Sequence, residues 1–209
     1  SAFWGLKGTV VTIANGCASG MDAIGYAYKS ISSGADDVLI AGGAESQLTP
    51  FGLAMLSAPR IMSTRNEEPN KASRPFDKMR DGGVLSEGAG ILILEELQHA
   101  LNRKCHIYTE ILAYANRCDG KGNNETGESK TGIERTMQLA LQQASLRADE
   151  VDYICAHAPS DDFDRIETKA IKAVLGEYAY KIPVSSIKSM IGNPLSAAGP
   201  LQLIAGIML

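Results

Sequence analysis

Short apolar runs that stop at a glycine and hand over to a stretch of helical spacing recur along this chain, and few folds accept that alternation. The β-branched run Val10, Val11, Thr12, Ile13 and Ala14 is bounded by Asn15-Gly16. Residues 18–31 then carry apolar side chains at helical spacing, so a strand, a tight turn and a helix are expected in that order. Residues 38–43 are apolar throughout and end in Gly42-Gly43, which suits a strand buried on both faces of a layered sheet. Residues 90–94, 107–115, 151–156 and 182–186 read as further strands. Residues 132–145 and 163–175 read as helices, the second stopped by Gly176. Strands alternating with helices predict an α/β protein with largely buried sheets.

Two stretches lack either period. Residues 59–83 are rich in Arg, Asn, Asp and Pro, and a loop this long in a folded protein is functional or disordered. Residues 119–130 are polar and glycine-rich, as expected of a mobile loop. There is also an internal echo: Asn15-Gly16-Cys17-Ala18-Ser19-Gly20 resembles Gly192-Asn193-Pro194-Leu195-Ser196-Ala197-Ala198-Gly199. Both lead into helices of small residues, which can approach closely, so a pseudo-symmetric pair packed back to back is predicted.

Composition narrows the function. The chain has 209 residues, enough to bury a core without metal or disulfide staples. Its 20 Lys and Arg against 24 Asp and Glu give a net charge of −4 with no basic run, which argues against nucleic-acid binding. An acidic carrier partner would need only a local basic patch. Apolar stretches such as residues 91–94 fall far short of the roughly 20 residues that cross a bilayer, so no membrane span is expected. Cys17, Cys105, Cys118 and Cys155 show neither Cys-x-x-Cys pairing nor metal-ligand spacing. A reducing, cytoplasmic setting is the simplest reading. Ser1-Ala2-Phe3-Trp4-Gly5 lacks a basic region and an initiator Met, so it reads as a cut or processed end rather than a signal peptide.

Four residues stand just past strands. Cys17 follows the Asn15-Gly16 turn where a helix begins, and unpaired backbone N–H groups there favour a thiolate. The alternative is a small buried hydrophobe, the reading kept for the other three cysteines. His157 follows the strand of residues 151–156, at the end where α/β proteins place ligands, and is a candidate acid, base or hydrogen-bond donor. Lys188 and Asn193 follow the strand of residues 182–186. His99 and His106 flank a surface helix and receive no role.

These residues lie in motifs that resemble the β-ketoacyl-[acyl-carrier-protein] synthases, condensing enzymes of thiolase-like fold. Asn15-Gly16-Cys17-Ala18-Ser19-Gly20 looks like the family's nucleophile motif. The resemblance continues through Ala41-Gly42-Gly43-Ala44-Glu45, Ser73-Arg74-Pro75-Phe76-Asp77-Lys78 with Arg80-Asp81-Gly82, and Glu87-Gly88-Ala89-Gly90. It ends with Val184-Ser185-Ser186-Ile187-Lys188-Ser189-Met190 and Ala197-Ala198-Gly199. It implies a layered αβαβα fold of two pseudo-symmetric halves, incomplete in this chain. Residues 1–104 would belong to the N-terminal half with the nucleophile, and residues 105–209 to the C-terminal half with the His, Lys and Asn. The irregular residues 59–83 would be an ordered loop leading into a core strand.

Carried over, the resemblance makes Cys17 the nucleophile that accepts an acyl chain as a thioester, and His157 the first family histidine. Glu167 and Lys188 match an acidic residue and a lysine that form a supporting ion pair. Where elongating members read His-Gly-Thr-x-Thr, this chain reads His157-Ala158-Pro159-Ser160-Asp161, without the threonines that contact the phosphopantetheine arm. Asn193 replaces the second histidine, giving a Cys-His-Asn set like that of initiating and chalcone-synthase-like enzymes. An amide can donate to a thioester oxygen but does not titrate near neutral pH.

The implied activity is decarboxylative condensation of an acyl-Cys thioester with a malonyl-thioester, in fatty acid or polyketide synthesis. Acyl loading or malonyl decarboxylation without elongation is a second reading. A non-catalytic partner subunit that sets chain length is a third. The implied partners are an acyl carrier protein, acyl- and malonyl-thioester substrates, and a second ketosynthase in a homodimer or heterodimer. No cofactor is expected, because phosphopantetheine arrives on the carrier. Family members are longer at both ends, so the 209-residue chain is expected to be a fragment, and inactive by itself.

Overall fold

Met21, Ile24, Ala27, Tyr28 and Ile31 recur at helical spacing and form the apolar stripe of α1 (Ser19–Ser32). The computed structural model describes residues 2–118 and 130–209. The stripe packs on β1 (Val38–Glu45), which pairs antiparallel with β2 (Gly88–Glu95). The register sets Leu39 opposite Leu94 and Ala41 opposite Leu92, and these four join Ile24 and Ala27 in the core. Ile40 and Ile93 face each other on the opposite side, where Ile93 is 69% exposed. The strand expected to be buried on both faces is therefore covered on one face only among the described residues.

Two expected strands are not formed. Residues 10–14 join no ladder among the described residues, and Val10 is 72% exposed. β-branched residues favour a strand only where a neighbour completes its hydrogen bonds. Residues 107–115 also lack a ladder; they are held by the Tyr28 hydroxyl, which donates to the Leu112 carbonyl at 2.9 Å, and by the Tyr114 ring lying over Gly25.

Between β1 and β2 the chain forms α2 (Pro50–Ser57), whose Thr49 side chain accepts from Gly52 N–H at 3.1 Å. Residues 59–83 then run as an ordered loop with a 3₁₀ turn at Pro69–Lys71. Gly83 N–H donates to the Ile61 carbonyl and Ser63 N–H to the Gly83 carbonyl, both at 2.8 Å. The short α3 (Leu97–Asn102) follows β2.

In the second half, α4 (Lys130–Ala144) packs on α5 (Phe163–Leu175). The expected mobile loop lies outside the described residues, apart from Lys130, which opens α4. Helix α5 has the expected ends, with Gly176 at φ 57° stopping it. The strands expected at 151–156 and 182–186 shorten to β3 (Ile154–Cys155) and β4 (Val184–Ser185), paired in parallel. A single turn, α6 (Lys188–Ile191), then leads towards α7 (Ala198–Met208).

The echo between the two glycine turns becomes a contact. The Ser196 carbonyl, in the 3₁₀ turn before α7, sits so close to α1 and β1 that a Cβ on Gly20 would lie 2.4 Å from it and one on Gly43 2.5 Å. Helices α1 and α7 thus meet as a pair over the β1–β2 floor. Gly43→Ala is expected to lower stability by about 1–3 kcal/mol through overpacking. Urea denaturation would show this as a reduced midpoint with an unchanged slope.

Candidate active site

The site is built on the turn after β3. His157 stands just past Cys155 and Ala156, and the next residues turn sharply: Ala158 has φ 25° and Ser160 φ 78°. Glu167, one turn into α5, holds this bend, accepting from the N–H groups of His157 and Ala158 at 2.8 Å each. Asp164, 1% exposed, accepts from Ser160 N–H at 3.0 Å and from Phe76 N–H at 2.7 Å. Arg80 Nε lies 3.8 Å from that carboxylate and donates to the Asp161 carbonyl at 2.6 Å. The loop of residues 59–83 is therefore fastened to the loop that carries His157.

Lys188 joins the remaining elements. Its ammonium, buried with the residue at 1% exposure, donates to the His157 carbonyl at 2.5 Å and to Gln202 Oε1 on α7 at 3.1 Å. It also approaches His157 Nδ1 at 3.4 Å. Gln202 Nε2 in turn donates to the Ala156 carbonyl. The Phe163 ring packs edge-on against the imidazole with centroids 5.4 Å apart.

The charge states follow from burial. Desolvation, with the Lys188 charge alongside, holds His157 down to about 3, so the ring is neutral near pH 7. With an ammonium beside Nδ1, that nitrogen keeps its lone pair and Nε2 carries the proton. Burial brings Lys188 down to about 8, against the pull of Glu167 and then Cys17. The half-buried Cys17 thiol is pushed up by burial more than Lys188 and its own backbone lower it. Burial therefore outweighs, in the resting site, the thiolate expected from a helix N-terminus.

The expected residues thus gather unevenly. Cys17, His157 and Lys188 share one electrostatic site, Lys188 touching the histidine and acting on the thiol. The expected Glu167–Lys188 ion pair is not formed: each Glu167 oxygen faces a backbone N–H group, and Lys188 turns to neutral oxygens instead. Asn193 makes no hydrogen bond to His157 or Lys188. Its backbone is clamped between the Val84 carbonyl, at 2.7 Å, and Ser86 N–H, at 3.2 Å, while its buried Oδ1 has no partner. Sequence reasoning missed Asp164 and Gln202. A lone Gln within the apolar α7 sequence was the signal for the second.

Two family models match the chain: Beta-ketoacyl synthase, N-terminal domain, over residues 1–100, and Beta-ketoacyl synthase, C-terminal domain, over residues 108–209. The chain is 42% identical over 208 residues to a putative polyketide beta-ketoacyl synthase 1 of Streptomyces halstedii, covering 98% of this chain and 49% of that protein. It is 42% identical over 204 residues to a 3-oxoacyl-[acyl-carrier-protein] synthase 2 of Coxiella burnetii, covering 97% and 49%. A type II polyketide acyl-carrier protein in complex with its ketosynthase bound to the hexaketide matches at TM-score 0.91 and 38% identity, over 96% of this chain and 50% of that one. The ishigamide ketosynthase/chain length factor matches at TM-score 0.85 and 34% identity, over 95% and 47%. The fold is thus the layered α/β fold of the ketosynthases, and the chain spans about half the length of the curated relatives it matches.

The buried neutral imidazole gives the site a pH dependence. An unfolded chain takes up a proton near 6.5 that the folded one refuses until about 3, so acid favours unfolding across that window. Between pH 6.5 and 4.5 His157 is expected to withdraw on the order of 1–3 kcal/mol of stability. Urea titrations at stepped pH should show a flatter profile for His157→Gln than for the parent.

Proposed function

Since the chain belongs to the β-ketoacyl synthase family, we propose that Cys17, His157 and Asn193 carry out a decarboxylative Claisen condensation. The observation that carries this reading is the Lys188-anchored, neutral His157, which keeps an N–H donor and no charge of its own. Such a donor suits an oxygen on which negative charge develops, because it is oriented in advance and does not titrate at working pH.

In the first half-reaction Cys17 gives up its proton and its sulfur attacks an acyl-thioester carbonyl. The C–S bond to the incoming carrier breaks, and the carrier leaves as a thiol bearing that proton. In the second, a malonyl-thioester loses carbon dioxide, and the electron pair of the broken C–C bond passes into an enolate. His157 Nε2–H and the Asn193 amide donate to the enolate oxygen. The enolate carbon attacks the acyl-Cys17 carbonyl, a C–C bond forms, and the Cys17 thiolate leaves with the β-ketoacyl product on the carrier. This is covalent, two-stage catalysis, and no step calls on a metal or an organic cofactor.

The substrates on this reading are acyl- and malonyl-thioesters, and the partner is an acyl carrier protein bringing the phosphopantetheine arm. A ketosynthase copy or a chain-length-factor-like subunit completes a dimer. Pro159 and Asp161 stand where family threonines meet the arm, so the carrier is gripped by other groups here. The retained Cys17 speaks against a purely non-catalytic partner, and the relatives' names favour condensation over loading alone.

Intact-mass spectrometry of the full-length protein incubated with acyl- and malonyl-carrier substrates tests the reading. An acyl adduct is expected on the parent and none on Cys17→Ala. Asn193→Ala should load normally but condense about 10²-fold to 10³-fold more slowly, the scale of losing one oxyanion donor. Condensation by Cys17→Ala at the parental rate would sink the proposal.

A further inference from the structure

We infer that Asp22 is a positioning residue for Cys17: its carboxylate ties the turn presenting the thiol to residues from the second half of the chain. The inference rests on the reading of Cys17 as the nucleophile. Three donors converge on this one side chain. Asn15 Nδ2 donates to Oδ2 at 2.6 Å, while the Tyr114 hydroxyl and Asn116 Nδ2 donate to Oδ1 at 2.5 and 2.8 Å. Two of these partners lie 92 and 94 residues further along the sequence.

A carboxylate offers acceptors only, so it can receive all three at once; an amide of the same shape would set its NH₂ against at least one of them. Burial, and then the bond to Asp22, push the Tyr114 hydroxyl up to about 12, so it stays a donor. The Tyr114 ring is itself fixed, lying against Gly25 of α1 with Lys29 5.2 Å from its centroid.

The other end of the tie is the nucleophile turn. Asn15 N–H donates to Ser19 Oγ and Ser19 Oγ to the Gly16 carbonyl, each at 2.7 Å, while the Asn15 carbonyl accepts from Ala18 N–H at 3.2 Å. Gly16 takes φ 54° at the tip. Ser19 thus ties the turn to the start of α1, and Asp22 ties it to Tyr114 and Asn116. Cys17 lies between these anchors, so its burial depends on both.

The test is the pH profile of Cys17 alkylation by iodoacetamide in the intact protein, read by peptide mass spectrometry with Cys155 as internal reference. In Asp22→Asn the loosened turn exposes Cys17, and its titration midpoint is expected to fall towards that of an ordinary thiol, because burial is what raises it. Cys155 should keep its parental profile. Tyr114→Phe keeps the ring and loses one donor, so a smaller shift in the same direction is expected, and this variant decides the matter if Asp22→Asn does not fold. Acyl transfer to Cys17 should drop roughly tenfold or more in Asp22→Asn, the size of losing a hydrogen bond to a charged group. A Cys17 profile indistinguishable from the parent in both folded variants would overturn the inference. Absence of acyl transfer in the parent would count against the nucleophile reading alone, and the alkylation profiles would still decide whether Asp22 positions the thiol.

Discussion

An ammonium removed from water must find acceptors or give up its proton, and Lys188 is at 1% exposure. It is met by oxygens without formal charge: the His157 carbonyl and Gln202 Oε1. Because the Gln202 amide reaches on to the Ala156 carbonyl, one cation sets the end of β3, the histidine and the rotation of α7. The Lys188 carbonyl accepts from Ser73 Oγ at 2.7 Å, which brings in the long loop as well. Burial has already brought the lysine to about 8, so it sits close to losing the charge that organises its neighbours.

The bend after β3 has its own balance. Ala158 and Ser160 hold backbone angles that side chains disfavour, at a cost of roughly 1–3 kcal/mol each. Against this stand the two bonds from backbone N–H groups to Glu167 and the one from Ser160 N–H to Asp164. Bonds to charged acceptors contribute about 1.5–3 kcal/mol apiece, so three of them are of the size needed to offset two strained residues.

The sequence was legible where local chemistry decides the outcome. Helix α5 could be delimited from its spacing and Gly176, and the echoed glycine turns foretold that α1 and α7 would touch. The runs at 10–14 and 107–115 looked like strands because Val, Ile and Thr suit a pleated surface. Strand formation is settled by a neighbouring backbone, which side-chain type does not report. Cys17, His157 and Lys188 could be named from their places after strands, whereas the partner of Glu167 could not. A carboxylate's choice between a lysine and two amides depends on which arrives within 3 Å, and spacing along the chain does not encode that.

The Ser196 carbonyl meets Gly20 and Gly43 main chain to main chain, with the Pro200 ring crowded against Gly20 beside it. Most interdomain seams tolerate exchange because side chains on either face can be repacked. Here the closest approach is a backbone carbonyl, and the side chain next to it is the stiff Pro200 ring, so little can be repacked. Chimaeras that graft one half of a relative onto the other will stand or fall on whether three stretches of backbone still fit, before any residue facing substrate has a say.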